Sequence, residues 1–225
     1  MTMQDEDTPG DTPCHAHLMI GGHAVDPETA RDVARFRKGE RARLYEAREA
    51  WSVAERQEMG EVIGRTLDAE LGDVSGRKVA VYWPIRCEPN LRDWMTRAHE
   101  AGAHVLLPVV VEKDAPLIFR RWAPGCAMER GIWNIPVPTE GAEEAPDLVI
   151  SPLLGLDREG YRLGNGGGYY DRTLAALRER PEVVGVGWPD CGIDTIFPMP
   201  WDVPMDKAVL GDGDVRAFDR DVPEA

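Results

Sequence analysis

The chain has 225 residues, 43% of them hydrophobic, so it can bury one sizeable core, and a single domain is expected. It contains no run of about 18 apolar residues, so no membrane-spanning helix is expected. The net charge of −14 argues against a nucleic-acid-binding surface. The four cysteines lack Cys-x-x-Cys spacing, which predicts free thiols in a reducing, cytoplasmic compartment.

The first 25 residues are predicted to form a flexible acidic extension. They begin MTMQDEDTPGDTP, which lacks the basic region and apolar block of a signal peptide. The extension also holds Cys14, His15, His17 and His23. A His-x-His pair in a glycine-containing tail is more often incidental than metal-binding, so it is weak support for a metal site.

A basic helix is predicted next. Asp26 suits an N-cap and Pro27 suits the first helical position, so the helix starts there and runs to about Glu49. Arg37 and Arg41 lie four residues apart and share one face. On charge alone, a solvated face with surface ion pairs is the favoured interpretation. The basic residues of this helix are Arg31, Arg35, Arg37, Lys38, Arg41, Arg43 and Arg48.

The rest of the chain predicts an α/β domain over residues 26–212, followed by an acidic tail over 213–225. Ser52 to Glu55 form a capping box that begins a second, core-forming helix. Beyond it, short apolar strands alternate with helical segments, which is typical of a sheet covered on both faces. Strands are expected at 78–83, 103–111, 117–122, 148–152 and 183–186, a helix at 91–101, and an extended connector at 131–138.

Between Arg162 and Arg172 the chain reads RLGNGGGYYDR. The stretch follows an apolar run, 148–156, expected to be a buried strand, and precedes a helical segment, 173–177. Glycines at such a turn let backbone N–H groups approach an anion, and the helix N-terminus adds positive charge. A purely structural glycine turn is the alternative, but the flanking Arg162 and Asp171 favour an anion site. The stretch matches neither a Walker A loop nor G-x-G-x-x-G.

With these residues identified, the chain resembles the 5-formyltetrahydrofolate cyclo-ligase family over about residues 35–210. The most specific match is DLVISPLLGLDREGYRLGNGGGYYDR. The basic helix, Glu88 at a strand end, the segment beginning at Trp133, and the Asp202-x-Pro-x-Asp206 ending support it. The resemblance implies an α/β domain with a mixed, mostly parallel sheet. It also implies ATP- and Mg²⁺-dependent conversion of 5-formyltetrahydrofolate to 5,10-methenyltetrahydrofolate, ADP and phosphate.

In the family's mechanism the formyl oxygen takes the γ-phosphoryl group, N10 attacks the activated carbon, and phosphate leaves. Such a site needs charge neutralisation and alignment more than a protein nucleophile. The sequence offers no convincing Ser-His-Asp or Cys-His constellation, which agrees with this chemistry.

The resemblance implies a role for individual residues. Those expected to bind ATP are Arg37, Lys38, Arg41, Arg162, Gly164, Asn165, Gly166, Gly167, Gly168, Tyr169 and Tyr170. Those expected to hold the folate are Trp83, Glu88, Trp133, Gly167 and Tyr169. Asp171 and Asp202 are expected to hold Mg²⁺, and Arg162, Tyr169 and Asp171 to be catalytic.

The departures from the family pattern leave alternatives open. Many members carry lysine where Gly167 stands, so Arg162, Arg41 or Mg²⁺ would neutralise the phosphates here. The family's first-helix lysine aligns with Arg37 or with Lys38.

The residues after Glu88 favour a second interpretation, a relative acting on another substrate in cofactor salvage, because Pro89-Asn90-Leu91 replaces the family's Asp-Thr. A non-catalytic folate- or nucleotide-binding protein is the third. The expected partners are a reduced folate and ATP, with no nucleic acid or membrane, and the expected state is a monomer.

Overall fold

The computed structural model describes residues 19–20 and 22–219. Cys14, His15 and His17 lie outside them, as do most of the expected extension and the last six residues of the expected tail. In chain order the elements are β1 (Met19–Ile20), β2 (His23–Ala24), α1 (Pro27–Ala50), α2 (Val53–Leu71), β3 (Lys78–Ala80), α3 (Arg92–Glu100), β4 (His104–Val109), β5 (Ile118–Arg121), β6 (Met128–Arg130), a 3-10 turn (Ile132–Asn134), β7 (Pro136–Pro138), β8 (Leu148–Pro152), β9 (Gly155–Leu156), β10 (Arg162–Leu163), α4 (Tyr169–Ala176), β11 (Glu182–Gly187), β12 (Lys207–Leu210) and β13 (Val215–Ala217).

The framework of the described chain is a seven-stranded sheet with the order β13-β12-β11-β8-β3-β4-β5. The strands from β12 to β4 run parallel, and the edge strands β5 and β13 are antiparallel to their neighbours. The predicted α/β single domain with a mixed, mostly parallel sheet is therefore confirmed. In the same part of the chain, no helix is both long and apolar enough to cross a bilayer.

Alternation along the strands divides the core between the two faces of the sheet. Val79 and Val105 belong to the apolar cluster that includes Ile63 of α2 and Trp94 of α3. Their neighbours along the strands, such as Ala80, belong to the cluster on the other face, which includes residues of α4. Successive side chains of a strand point to opposite faces, so strands covered on both sides are apolar throughout.

Local sequence signals account for the starts of the first two helices. The Asp26 carboxylate accepts a hydrogen bond from the Thr29 N–H at 2.7 Å, and Pro27 occupies the first helical position. Ser52 Oγ accepts from the Glu55 N–H at 3.2 Å, and the Glu55 carboxylate accepts from the Ser52 N–H at 2.8 Å. Both predicted caps are confirmed, and they satisfy N–H groups that no helix carbonyl reaches.

Other boundaries differ from the prediction because tertiary contacts interrupt the apolar runs. The expected strand over 148–156 ends at Pro152, since the Leu154 N–H turns to the Leu163 carbonyl at 2.9 Å, and β9 then pairs with β10. The glycine-rich stretch therefore follows a short hairpin. The helix after it begins at Tyr169, four residues earlier than expected.

The chain ends of the domain and one connector also differ. β13 lies beyond residue 212 and extends the sheet by pairing with β12, where an acidic tail was expected. Before residue 25, β1 and β2 form a small hairpin. The connector over 131–138 is not simply extended, because it contains the 3-10 turn and β7, which pairs with β6.

Candidate active site

A cavity of about 1360 Å³ opens at the carboxyl ends of the parallel strands. Its wall includes Trp83 beyond β3, Val110 beyond β4 and Pro152 at the end of β8, together with the glycine-rich loop, 164–168. Ligands of open α/β sheets bind in the crevice beyond the carboxyl ends of the strands. This cavity is accordingly the candidate active site.

The glycine-rich loop adopts backbone conformations that suit glycine. Gly166 has φ +96°, and Gly168 has φ +63° at the N-cap of α4. The loop is tied to α1 because Arg41 Nε donates to the Gly164 carbonyl at 2.8 Å. A ligand can therefore approach the loop backbone closely at the N-terminus of α4, where the partial positive charge of the helix favours an anion.

Arg162 is the most distinctive charged residue of the cavity. Its side chain is 5% exposed, and its Nη2 donates to Asp171 Oδ2 at 2.9 Å. Within the described chain, its Nε and Nη1 have no hydrogen-bond partner. Buried donors of a guanidinium are costly to leave unpaired, so this geometry favours an anionic ligand that accepts from them.

Tyr170 lies against this arginine, with the Arg162 Cζ 4.8 Å from its ring centroid. Its hydroxyl also has no hydrogen-bond partner among the described residues. Burial raises the pKa of Tyr170, so the phenol stays protonated at neutral pH. The hydroxyl is therefore a second polar group in this buried corner that can contact a bound molecule.

The basic residues of α1 have different environments. Arg37 lines the cavity, but it donates to the Ile196 and Phe197 carbonyls, each at 2.8 Å, and binds Asp202 through both Nη atoms. Lys38 is exposed and forms no part of the cavity wall. The structure thus aligns Arg37, and not Lys38, with the cavity.

Arg41 also lines the cavity, one helical turn from Arg37. Burial, followed by the nearby positive charge of Arg37, lowers the pKa of the Arg41 guanidinium. An arginine remains charged after any ordinary shift, so the lowered pKa marks a partly desolvated cation. A bound anion would relieve that electrostatic cost.

Glu88 also lines the cavity and is 8% exposed. Its carboxylate accepts from the Ile85 N–H at 3.0 Å and from Asn165 Nδ2 at 3.3 Å. Burial raises the pKa of Glu88, and these donors oppose the rise. Trp83 lies near Glu88 in the cavity wall, and the Arg92 Cζ lies 5.5 Å from the centroid of its ring.

Trp133 and Tyr169 contact each other in the cavity wall, and we call this pair the aromatic lip. Their ring centroids are 5.3 Å apart at an interplanar angle of 76°. Trp133 is 62% exposed and has φ +55°, in the left-handed region. The Tyr169 hydroxyl accepts from the Asp114 N–H at 3.3 Å. An exposed tryptophan edge beside a tyrosine provides an apolar surface for a flat ring system.

The two carboxylates expected to hold Mg²⁺ both line the cavity, and both are ion-paired. Asp171 binds Arg162, and Asp202 binds Arg37 with an Nη2–Oδ2 distance of 2.5 Å. Over the described residues, no group of three or more His, Cys, Asp or Glu side chains converges as a metal centre. Carboxylate oxygens are a ligand type that Mg²⁺ uses, one or two at a time, beside phosphate oxygens and water.

Sequence patterns did not single out Arg86 and Arg172, which line the cavity, or Tyr45, which contacts the glycine-rich loop from α1. Tyr45 and Arg86 contact each other at 3.2 Å, and Tyr45 donates to Asn165. Arg172 donates to the Gly167 carbonyl, and its Cζ lies 5.0 Å from the Tyr169 ring centroid. Tyr45 lies four residues after Arg41 and shares its helix face, so helical spacing could have found it. Arg86 carries no such sequence signal.

Comparisons with known proteins identify the family of this chain. The model of the 5-formyltetrahydrofolate cyclo-ligase family matches residues 33–211. The protein named 5-formyltetrahydrofolate cyclo-ligase from Mycolicibacterium smegmatis is 38% identical over 141 residues, which cover 59% of this chain and 72% of the relative. Its namesake from Escherichia coli (strain K12) is 28% identical over 174 residues, which cover 74% of this chain and 95% of the relative.

Among solved structures, the NMR structure of Aquifex aeolicus 5,10-methenyltetrahydrofolate synthetase has a similar fold. The TM-score is 0.70 at 28% sequence identity, and the match covers 84% of this chain and 95% of that structure.

Proposed function

Because this chain belongs to the 5-formyltetrahydrofolate cyclo-ligase family, we propose that it cyclises 5-formyltetrahydrofolate to 5,10-methenyltetrahydrofolate, with ATP converted to ADP and phosphate. The observation that carries the proposal is the buried Arg162 beside the glycine-rich loop, whose Nε and Nη1 have no hydrogen-bond partner among residues 19–20 and 22–219. A desolvated guanidinium next to a helix N-terminus suits a triphosphate.

The proposed reaction has two steps. The formyl oxygen attacks the γ-phosphorus and ADP leaves. N10 then attacks the formyl carbon, phosphate departs with the former formyl oxygen, and the N10 proton is lost. Negative charge spreads over the transferred phosphoryl oxygens, so fixed cations aligned with them lower the barrier. Arg162 and Arg41 are the proposed source of that charge, with the loop N–H groups orienting the phosphates.

Mg²⁺ is proposed to accompany the nucleotide, with Asp171 and Asp202 as its protein ligands. When bound, it would neutralise phosphate charge. Each carboxylate is paired with an arginine, at 2.9 Å for Asp171 and 2.5 Å for Asp202. These arginines hold the carboxylates at the cavity wall. Of the two, Arg162 is also proposed to engage phosphate oxygens, so nucleotide and cation would share one network of charges.

The folate is proposed to occupy the side of the cavity with Glu88 and the aromatic lip. A buried carboxylate accepts the N–H donors of a pterin ring, and Trp83, Trp133 and Tyr169 offer faces and edges for the ring system. Tyr169 and Gly167, which both line the cavity, are proposed to contact both ligands, which would bring the formyl group near the γ-phosphate. We further propose a monomer acting in the cytoplasm.

The alternative of another substrate rested on Pro89, Asn90 and Leu91. None of the three lines the cavity. The Pro89 carbonyl accepts from the buried Tyr82 hydroxyl at 2.6 Å, and Leu91 is 1% exposed in the core. This departure from the family pattern therefore affects scaffold packing, which supports the family's own substrate.

The decisive experiment mixes the protein with 5-formyltetrahydrofolate, ATP and Mg²⁺ and follows the near-ultraviolet absorbance of methenyltetrahydrofolate. We expect product and ADP to form in equal amounts and neither to form when ATP is omitted. Binding of 5-formyltetrahydrofolate without any product would favour the non-catalytic alternative. Turnover of ATP with a different reduced pterin alone would favour another substrate.

A further inference from the structure

A chain of hydrogen bonds joins α1, the glycine-rich loop and Glu88. Arg86 Nη1 donates to the Tyr45 hydroxyl at 3.2 Å, and that hydroxyl donates to Asn165 Oδ1. Asn165 Nδ2 then donates to Glu88 Oε1 at 3.3 Å. The Tyr45 ring is also held by the Arg86 guanidinium, whose Cζ lies 5.8 Å from the ring centroid. We call this chain of hydrogen bonds, from Arg86 through Tyr45 and Asn165 to Glu88, the relay. It links three segments that are distant in sequence.

Donor and acceptor chemistry determines the direction of this relay. Arginine only donates, so the Tyr45 oxygen accepts from Arg86 and its proton remains for the Asn165 carbonyl oxygen. The amide nitrogen then faces Glu88, whose ionised carboxylate can only accept. The reversed amide would place two acceptors against each other. The amide orientation that donates to Glu88 therefore leaves the Asn165 carbonyl oxygen to accept from the Tyr45 hydroxyl.

The turn that carries Glu88 is held from several sides. Arg86 and Cys87 both have positive φ, 45° and 57°, an uncommon conformation for two successive residues with side chains. Their carbonyls accept from Arg48 Nη1 at 3.4 Å and from Trp188 Nε1 at 3.0 Å. Backbone strain of this kind persists only where surrounding contacts hold it. Because these contacts hold the backbone of the turn, the Asn165 amide connects Glu88 to the glycine-rich loop.

Asn165 lies between Gly164, whose carbonyl binds Arg41, and Gly166 at φ +96°. We infer that Tyr45 and Asn165 are positioning residues that orient Glu88 for the folate and couple it to the nucleotide loop, so that ATP and the folate bind with positive cooperativity. This inference rests on the proposed function. A nucleotide that orders the loop also orders Asn165, and linkage requires the folate to return the same advantage.

The pKa of Glu88 distinguishes a positioning role of Asn165 from a purely structural role, because a purely structural role would leave this pKa unchanged. The ionisable groups that act on its carboxylate are Arg48 of α1, Arg86 of the turn, Tyr82 after β3 and Tyr170 of α4. The Asn165 amide is among the groups that lower the pKa of Glu88 against the effect of burial. Loss of that donor raises the pKa of Glu88, so folate affinity would begin to fall at a higher pH as the solution is acidified.

The test measures 5-formyltetrahydrofolate affinity by calorimetry, with and without a non-hydrolysable ATP analogue and Mg²⁺, in Tyr45→Phe and Asn165→Ala. The matched control is Tyr161→Phe, because Tyr161 packs on the same small apolar cluster as Tyr45 without joining the relay. In the wild type we expect the analogue to tighten folate binding about fivefold. Folate binding should weaken about threefold in Tyr45→Phe and about tenfold in Asn165→Ala.

In both relay variants the analogue should lose its effect on folate binding. Tyr45→Phe should bind the analogue alone as tightly as the wild type, and in Asn165→Ala folate affinity should begin to fall at a higher pH on acidification. Wild-type folate affinity in Tyr45→Phe, with the effect of the analogue retained, would overturn the inference even if Asn165→Ala failed to fold. If the wild type neither bound nor converted the folate, the proposed function itself would fall, and with it this relay.

Discussion

Arg37 and Arg41 stand one helical turn apart on α1, yet their contacts predict different consequences of mutation. The Arg37 donors are used by Asp202 and by two backbone carbonyls, so this residue anchors α1 to the segment over 196–202. Arg41 makes one hydrogen bond, from Nε to the Gly164 carbonyl, among the described residues and is half-buried in the cavity wall. At the scale of residues, Arg37 is predicted to act on stability and Arg41 on binding.

For Arg41→Ala, we expect ATP affinity to fall by about 1.5–3 kcal/mol, the usual loss for a hydrogen bond to a charged group. The measurement is ATP binding by calorimetry together with the melting temperature. Arg31→Ala is the control, because Arg31 is exposed near the start of the same helix. Equal ATP affinity in Arg41→Ala and the wild type would remove this arginine from the site.

For Asp202→Asn, we expect a loss of about 3 kcal/mol of unfolding free energy, because the substitution leaves the Arg37 charge largely buried without its counter-charge. The two side chains are only 12% and 9% exposed. Chemical denaturation measures the loss, and Mg²⁺ titration of ATP binding shows whether the carboxylate also serves the cation.

The control for that variant is Asp32→Asn. Asp32 pairs with Arg35 on the same helix, but the two side chains are 59% and 80% exposed. An exposed pair contributes about 0–1 kcal/mol, so this control should unfold almost as the wild type does. Equal losses in the two variants would contradict a special role for the Arg37–Asp202 pair.

At the scale of elements, the glycine-rich loop and α4 act as one unit. Gly168, in the left-handed region, begins the helix without any side-chain cap, so the N–H groups of its first turn remain directed at the cavity. A Cβ built at Gly166 would lie 3.3 Å from the Arg41 Cζ, at φ +96°. A side chain there would strain the loop and press on a cation proposed to bind ATP.

Gly166→Ala is therefore expected to weaken ATP binding and destabilise the fold by about 1–3 kcal/mol. The ATP KM and the unfolding free energy are the quantities to measure. Gly39→Ala is the matched control, because Gly39 lies inside α1 with nothing within 4 Å of a built Cβ. That control should gain about 0.5–1 kcal/mol of stability. Wild-type kinetics in Gly166→Ala would show that the loop does not approach the nucleotide.

At the scale of the whole molecule, the sheet and the helices that cover it shield core residues from solvent. Chemical labelling of Cys191 measures how completely they do so. It is 3% exposed, and burial raises the pKa of its thiol to about 12. Since the thiolate is the reactive form, the native protein protects this cysteine both sterically and electrostatically. Cys126 is only half-buried, so a reagent can reach its thiol more easily.

Alkylation should therefore modify Cys126 in the native protein and reach Cys191 only through global unfolding. We expect the denaturant dependence of Cys191 labelling, followed by mass spectrometry, to match the equilibrium unfolding curve. Labelling of Cys191 at the rate of Cys126 would instead reveal a local opening of the segment after β11.

The sequence by itself determined the features that depend on neighbouring residues. The Asp26 cap, the Ser52 capping box and the start of the strand at Leu148 were predicted correctly because capping and side-chain patterning are local. The family resemblance rested on the ordered string through the glycine-rich loop, and the match over residues 33–211 confirmed it. Such signals require no knowledge of what packs against them.

Only the tertiary structure decided which distant groups meet. Arg37 and Asp202 lie 165 residues apart, and Asn165 and Glu88 lie 77 apart. Helical spacing grouped Arg37 with Arg41. It could not show that the Arg37 guanidinium is hydrogen-bonded to the segment over 196–202, whereas the Arg41 guanidinium can bind a ligand in the cavity. Nor could it choose between Arg37 and Lys38. Those outcomes depend on how the loops beyond β8 and β11 pack around α1, because long-range pairing is set by the packed core and not by any local pattern.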